Sequence, residues 1–179
     1  LHDIWHSFPT RRSSDLQINS TLAANMVLSA ADMGSYKYFQ NLNSKGAVIW
    51  TSDKGPGQTF TFLAEGNNRY LLAMMYAPMY AMHFDKNDYV NETAYPNARD
   101  CKLYNVSAKH EGFKFLIEKT GDGYSFVSLA GSIKALYLDV YGGATANGSR
   151  VIGFDTKNSN ASQVWTFTIR HSTSTIGYE

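Results

Sequence analysis

The chain has 179 residues, of which 44% are apolar and 17% charged, and a net charge of +1 at pH 7. That length is enough for one domain with a sizeable core, and the near-neutral charge gives no electrostatic case for nucleic acid or an anionic membrane. No apolar run approaches the ~20 residues of a membrane helix. With Cys101 as the sole cysteine, an intrachain disulfide and a cysteine metal site are both excluded.

Residues 1–16 (LHDIWHSFPTRRSSDL) carry no helix or strand period and no signal-peptide core. The segment is similar to a translated sequencing-adapter read and is set apart as a non-native leader. His2, His6, Arg11 and Arg12 therefore receive no role, and a signal peptide or a catalytic domain is an open possibility upstream of Gln17. From Gln17 the chain reads as short strands punctuated by turn residues. The first stretch predicts strands at 26–29, 36–40, 47–50 and 58–62, with turns at Asp32-Met33-Gly34-Ser35, Asn43-Ser44-Lys45-Gly46 and Asp53-Lys54-Gly55-Pro56-Gly57. The second predicts strands at 69–74, 80–84 and 101–106 and one around Phe113. Between them, 85–100 reads as a long solvated loop. It carries Asp85, Asp88, Glu92 and Asp100, but lacks the spacing and glycine of an EF-hand. The third stretch follows the hairpin signal Gly121-Asp122-Gly123. It predicts strands at 124–129, 135–140, 151–154 and 163–169. Residues 20–31 come nearest to a helical pattern, but no segment has a convincing 3.6-residue period.

One figure recurs. Gln58-Thr59-Phe60-Thr61-Phe62 is repeated by Gln163-Val164-Trp165-Thr166-Phe167, and more weakly by Glu111-Gly112-Phe113-Lys114-Phe115. Each alternates polar and apolar residues, as a strand with one buried face does. Phe60, Phe113 and Trp165 are spaced by 53 and 52 residues, which predicts a threefold internal repeat. The boundaries fall near 17–64, 65–118 and 119–170, with a tail at 171–179. Twelve strands in three four-stranded units around a shared aromatic core describe an all-β fold, the β-trefoil with pseudo-threefold symmetry.

Here a family resemblance becomes specific. The run Leu138-Asp139-Val140, Asn147-Gly148-Ser149, Phe154-Asp155 and Gln163-Val164-Trp165 resembles the repeat of ricin-B-type lectins, whose mark is one Gln-x-Trp strand per repeat. The match is good over the last 50 residues or so, partial at Gln58-Thr59-Phe60, and poor in the second repeat, where Glu111 stands for the glutamine. The resemblance implies carbohydrate binding in shallow surface pockets, one per repeat. In such a pocket a carboxylate accepts sugar hydroxyls and an aromatic ring covers the apolar face of the pyranose. Carried over, the third repeat offers Asp139 for the hydroxyls and Phe154 for the stack. Ser162 replaces the family's usual Asn, and Asn160 is within reach of the same space. Gln163 is read as structural or sugar-contacting, and Asp139 alternatively as a strand-end carboxylate bonding its glycine-rich turn. In the first repeat Trp50 takes the stacking position and Gln40 the neighbourhood of the carboxylate; the other reading of Trp50 is a core tryptophan. The second repeat has Tyr104 and no acid, so no binding is expected there.

Among catalytic patterns, His83, His110 and His171 are scattered, and no phosphate loop opens a helix. His83-x-Asp85 and His110-Glu111 lack a third ligand. The domain is therefore expected to be non-catalytic, without cofactor or metal. Its expected partners are galactose-type or xylan-type glycans, either alone or as the targeting module of a larger secreted enzyme. The alternative is a protein-interaction trefoil, inhibitor-like or adhesive, using the 85–100 loop. Secretion or display at the cell surface is expected because free-standing glycans are mostly extracellular. Asn19, Asn91, Asn105, Asn147 and Asn160 each begin an Asn-x-Ser/Thr triplet that matters only in a eukaryotic secretory pathway.

Overall fold

A computed structural model describes residues 15–31, 42–53, 55–108, 111–128, 134–158 and 160–170. Among them the chain forms twelve strands. The first unit holds β1 (Asp15–Ser20), β2 (Met26–Ala30), β3 (Lys45–Thr51) and β4 (Phe60–Ala64). The second holds β5 (Arg69–Met74), β6 (Ala77–Asn91), β7 (Tyr95–Asn105) and β8 (Phe115–Thr120). The third holds β9 (Gly123–Ser128), β10 (Leu136–Val140), β11 (Ser149–Phe154) and β12 (Trp165–Arg170). The strand expected at 36–40, with Gln40, lies outside the described residues, as do 1–14 and the tail at 171–179.

Six strands close into a barrel. The antiparallel pairs β1–β12, β4–β5 and β8–β9 alternate with β1–β4, β5–β8 and β9–β12, so the ring has no free edge. The other six strands make three hairpins, β2–β3, β6–β7 and β10–β11. Each hairpin touches the next through β3–β7, β7–β11 and β11–β3. A closed barrel joined to a closed triangle of hairpins is the β-trefoil. The hairpin signal at Gly121 is borne out: Thr120 pairs with Gly123, and Gly121 sits at φ 57° in the two-residue turn.

Each unit starts its last strand on a fully buried aromatic: Phe60, Phe115 and Trp165. A one-turn 3-10 segment precedes each strand, at Pro56–Gln58, Glu111–Phe113 and Ala161–Gln163. The register of the second repeat is therefore two residues away from the expected one. Phe115, not Phe113, matches Phe60 and Trp165, and the steps become 55 and 50 residues. Phe113 is buried apart from the main core, with Leu71, Ala73 and Ala81. The expected strands at 58–62 and 163–169 likewise begin two residues late, because Gln58 and Gln163 close the 3-10 turns. Trp165 keeps its one polar atom satisfied, donating from Nε1 to the Leu138 carbonyl at 3.1 Å.

Two further expectations are corrected. The barrel begins at Asp15, not Gln17: Leu16 lies opposite Phe60 on β4 and Ile169 on β12, and is 1% exposed. Leu16 and Ile18 alternate inward, a strand signal hidden by the leader-like residues before it. Residues 85–100 are not a loop but the outer half of the β6–β7 hairpin, with Tyr89 paired to Arg99 and Asn91 to Tyr95. Asn91 Oδ1 closes the turn by accepting from the Thr93 and Ala94 amides at 3.1 and 2.9 Å. Arg99 braces the hairpin, donating to the carbonyls of Lys86, Pro96 and Ala98 while its guanidinium lies 4.0 Å over the Tyr89 ring.

Candidate functional site

In the third unit β10 and β11 run antiparallel, with Tyr137 opposite Phe154 and Asp139 opposite Ile152. Asp139 is 8% exposed. Its Oδ2 accepts from Gln163 Nε2 at 2.9 Å, and the Ser162 hydroxyl donates to the same carboxylate. Gln163 is held in turn: Nε2 also donates to the Thr156 carbonyl at 2.9 Å, and Oε1 accepts from the Asn158 amide at 2.9 Å. Each polar atom of the Gln163 side chain thus has a protein partner, and the residue acts as a bracket that aims Asp139. Burial pushes the Asp139 carboxyl above its ordinary range, and the bonds from Gln163 and Ser162 pull part of the way back.

Asp139 and Phe154 face one open cavity of about 500 Å³, whose lining includes Asn160, Tyr141, Leu22 and Tyr95. Three of the six expected site residues therefore meet in one place, Asp139, Phe154 and Asn160, with Gln163 directly behind. Trp50 is on another unit, and Gln40 is outside the described residues. Tyr95 and Tyr141 were not anticipated. Tyr141 opens the Tyr141-Gly142-Gly143 turn, where Gly142 and Gly143 have φ near 65 and 63°. Tyr95 arrives from the second unit on the β6–β7 hairpin, its ring centroid 6.0 Å from that of Phe154 and 6.5 Å from that of Tyr141. No local pattern in the sequence signalled Tyr95, since its place at the cavity depends on the pairing of β7 with β11.

Strand register identifies the matching positions in the other units. Trp50 lies opposite Val27, Tyr104 opposite Ala81 and Phe154 opposite Tyr137, so these three aromatics occupy one equivalent position. The residues matching Asp139 are Ser29 and His83. Those matching Gln163 are Gln58 and Phe113, each closing its 3-10 turn. In the first unit Gln58 repeats the bracket, donating to the Thr51 carbonyl at 2.9 Å and accepting from the Asp53 amide at 2.8 Å, but Ser29 spends its hydroxyl on the Val27 carbonyl. Trp50 is 46% exposed, which removes the core reading. The third unit's Asn147-Gly148 turn lies beside it, Asn147 Oδ1 accepting from the Thr51 amide at 2.8 Å. In the second unit His83 stacks on Phe113 at 4.1 Å, and the Tyr104 hydroxyl donates to Asp88. Burial, reinforced by that bond to Asp88, pushes the Tyr104 hydroxyl up to about 12.

No protein-family model matches this chain, and neither does any curated protein. Solved structures do. The Macrolepiota procera ricin B-like lectin, solved in complex with lactose, is 15% identical over 91% of this chain and 100% of its own, with a TM-score of 0.64. The designed threefold-symmetric protein ThreeFoil is 15% identical over 86% of this chain and 97% of its own, with a TM-score of 0.68. A mosquitocidal holotoxin is 18% identical over 92% of this chain, which spans only 18% of that longer protein, with a TM-score of 0.71. At these identities the likeness is one of fold. The chain has an all-β, β-trefoil fold like that of these structures.

Proposed function

We propose that this domain binds carbohydrate in the cavity of its third unit. The observation that carries the reading is the convergence there of a bracketed, largely buried carboxylate and an aromatic ring on adjacent strands. Asp139 gives one oxygen to Gln163 and keeps acceptor capacity for sugar hydroxyls. Phe154 offers the face that shields pyranose C–H groups from water. Asn160 lines the same cavity, and in this reading its amide discriminates between epimers. The likeness to a lectin solved with lactose supports this reading.

An open, wet pocket of this kind holds one sugar weakly, at around millimolar Kd or roughly −4 kcal/mol. Useful binding then relies on several contacts along a polymer or on tethering to a partner module. In this reading the domain itself is non-catalytic, and its ligands are galactose-type or xylan-type glycans at the cell surface or in the secreted space. Cys101 is 1% exposed with its Sγ 3.7 Å from Met82 Sδ, so its lone thiol is shielded and compatible with an oxidising compartment. The holotoxin match sets a precedent for this fold as one part of a longer chain.

The test is a titration of the domain with galactose, lactose and xylan fragments up to tens of millimolar, followed through the amide resonances of the third unit. Asp139→Asn keeps the shape and loses the charged acceptor, a cost of about 1.5–3 kcal/mol that removes detectable binding. If none of these sugars shifts a resonance near Asp139, the proposal is wrong.

A further inference from the structure

Tyr95 belongs to the second unit in sequence but lines the third unit's cavity. Its ring meets that of Phe154 at an interplanar angle of 69° with centroids 6.0 Å apart, and that of Tyr141 at 84° and 6.5 Å. The three rings make an aromatic corner, not a single face. Tyr95 remains 41% exposed and Tyr141 40%, so both still offer ring surface to a ligand.

The hairpin that delivers Tyr95 is fastened to the third unit at several points. Asp100 pairs with Ile152 and Arg99 with Gly153 along β7–β11. Arg150 grips Asp100 in a two-pronged ion pair, Nε to Oδ1 and Nη2 to Oδ2, both at 2.6 Å. Asn97 Nδ2 donates to Asp155 Oδ2 at 2.9 Å, next to Phe154. The tyrosine is therefore presented on a braced element, so little ordering entropy is lost when a ligand meets it.

We infer that the cavity is built for an oligosaccharide rather than a single sugar: Phe154 and Asp139 hold one residue, and Tyr95, with Tyr141, forms a second subsite that stacks the neighbouring sugar. This rests on the carbohydrate reading above and adds to it a ligand of at least two units. It also makes Tyr95 a residue that sets preference for chain length. The size of the space agrees, since about 500 Å³ falls within the range of pockets that enclose drug-sized ligands.

Calorimetric or resonance titration of galactose against lactose, and of xylose against xylobiose, on the wild-type protein and Tyr95→Ala tests it. In the wild type the disaccharide of at least one pair binds about five- to tenfold more tightly than its monosaccharide, the size of one added ring contact. In Tyr95→Ala that ratio falls towards one, while Tyr95→Phe retains it. Equal affinity for mono- and disaccharide in the wild type, or a ratio left unchanged by Tyr95→Ala, overturns the second subsite and leaves the single-sugar reading standing. No response to any of the four sugars sinks both.

Discussion

The second and third units solve the same packing problem with different chemistry. Both have the same strand pairing, and both begin their last strand on a buried ring, Phe115 or Trp165. They part at two positions. Where the third unit sets Asp139 against Gln163, the second sets His83 against Phe113, and a polar bracket becomes a ring stack at 4.1 Å. The second unit's aromatic at the stacking position, Tyr104, is also tied by its hydroxyl to Asp88 on the long hairpin. The scaffold thus tolerates either a satisfied polar pair or an apolar plug behind each hairpin. Only the polar version leaves a carboxylate facing open space. The long hairpin sits at the centre of this contrast: its Asp88 covers the second unit's aromatic while its Tyr95 extends the third unit's cavity.

The largest effects test what the two units share. Trp165→Ala and Phe115→Ala should each cost about 3–5 kcal/mol in denaturant unfolding, as for a large ring removed from a core. A loss under ~1 kcal/mol for Phe115→Ala would return the second unit's register to Phe113. The next effect tests what separates them. His83→Asp and Phe113→Gln should each destabilise the fold, one by burying a carboxylate without its bracket and the other by putting an unsatisfied amide in an apolar cluster. Made together they should restore the Asp–Gln bond, giving a favourable coupling of about 0.5–3 kcal/mol in a double-mutant cycle. Strict additivity would show that the bracket depends on more than these two residues.

The smallest effect is the pH dependence that Asp139 contributes. Burial raises the folded-state carboxyl of Asp139 above the ordinary 3.8, so between that value and the raised one the folded state holds more proton than the unfolded. Stability from this group therefore rises as pH falls through that window, while sugar binding, which needs the ionised form, weakens over the same interval. Asp139→Asn should weaken the first trend, leaving the contribution of Asp15, whose carboxyl burial also raises, and leave the protein folded. Melting curves and sugar titrations between neutral pH and about pH 4 check both signs. If stability and binding moved in the same direction, Asp139 would not be the acceptor.

The threefold design was legible in the chain because it rests on local alternation. Gln58-Thr59-Phe60, Gln163-Val164-Trp165 and the glycine turn at Gly121 state strand, period and hairpin within a few residues each. Asp139, Phe154 and Asn160 were also legible as a set, since two neighbouring strands and the turn before a third carry them in the spacing of a known repeat. The second unit misled because Phe113-Lys114-Phe115 offers two aromatics in alternation; only burial of Phe115 in the common core and of Phe113 beside His83 chooses between them. The hairpin at 85–100 misled because polar contacts, not an apolar alternation, hold it. Its polar residues find partners in Asp155 and Arg150 and on its own backbone, and none of these is visible as an apolar pattern. The sequence alone therefore determined the repeat and the fold class through short-range periodicity, and three residues of one pocket through their resemblance to a known repeat. Tertiary structure decided that a tyrosine from the neighbouring unit completes that pocket, because a contact between residues 95 and 154 depends on how two hairpins pair and leaves no trace in local spacing.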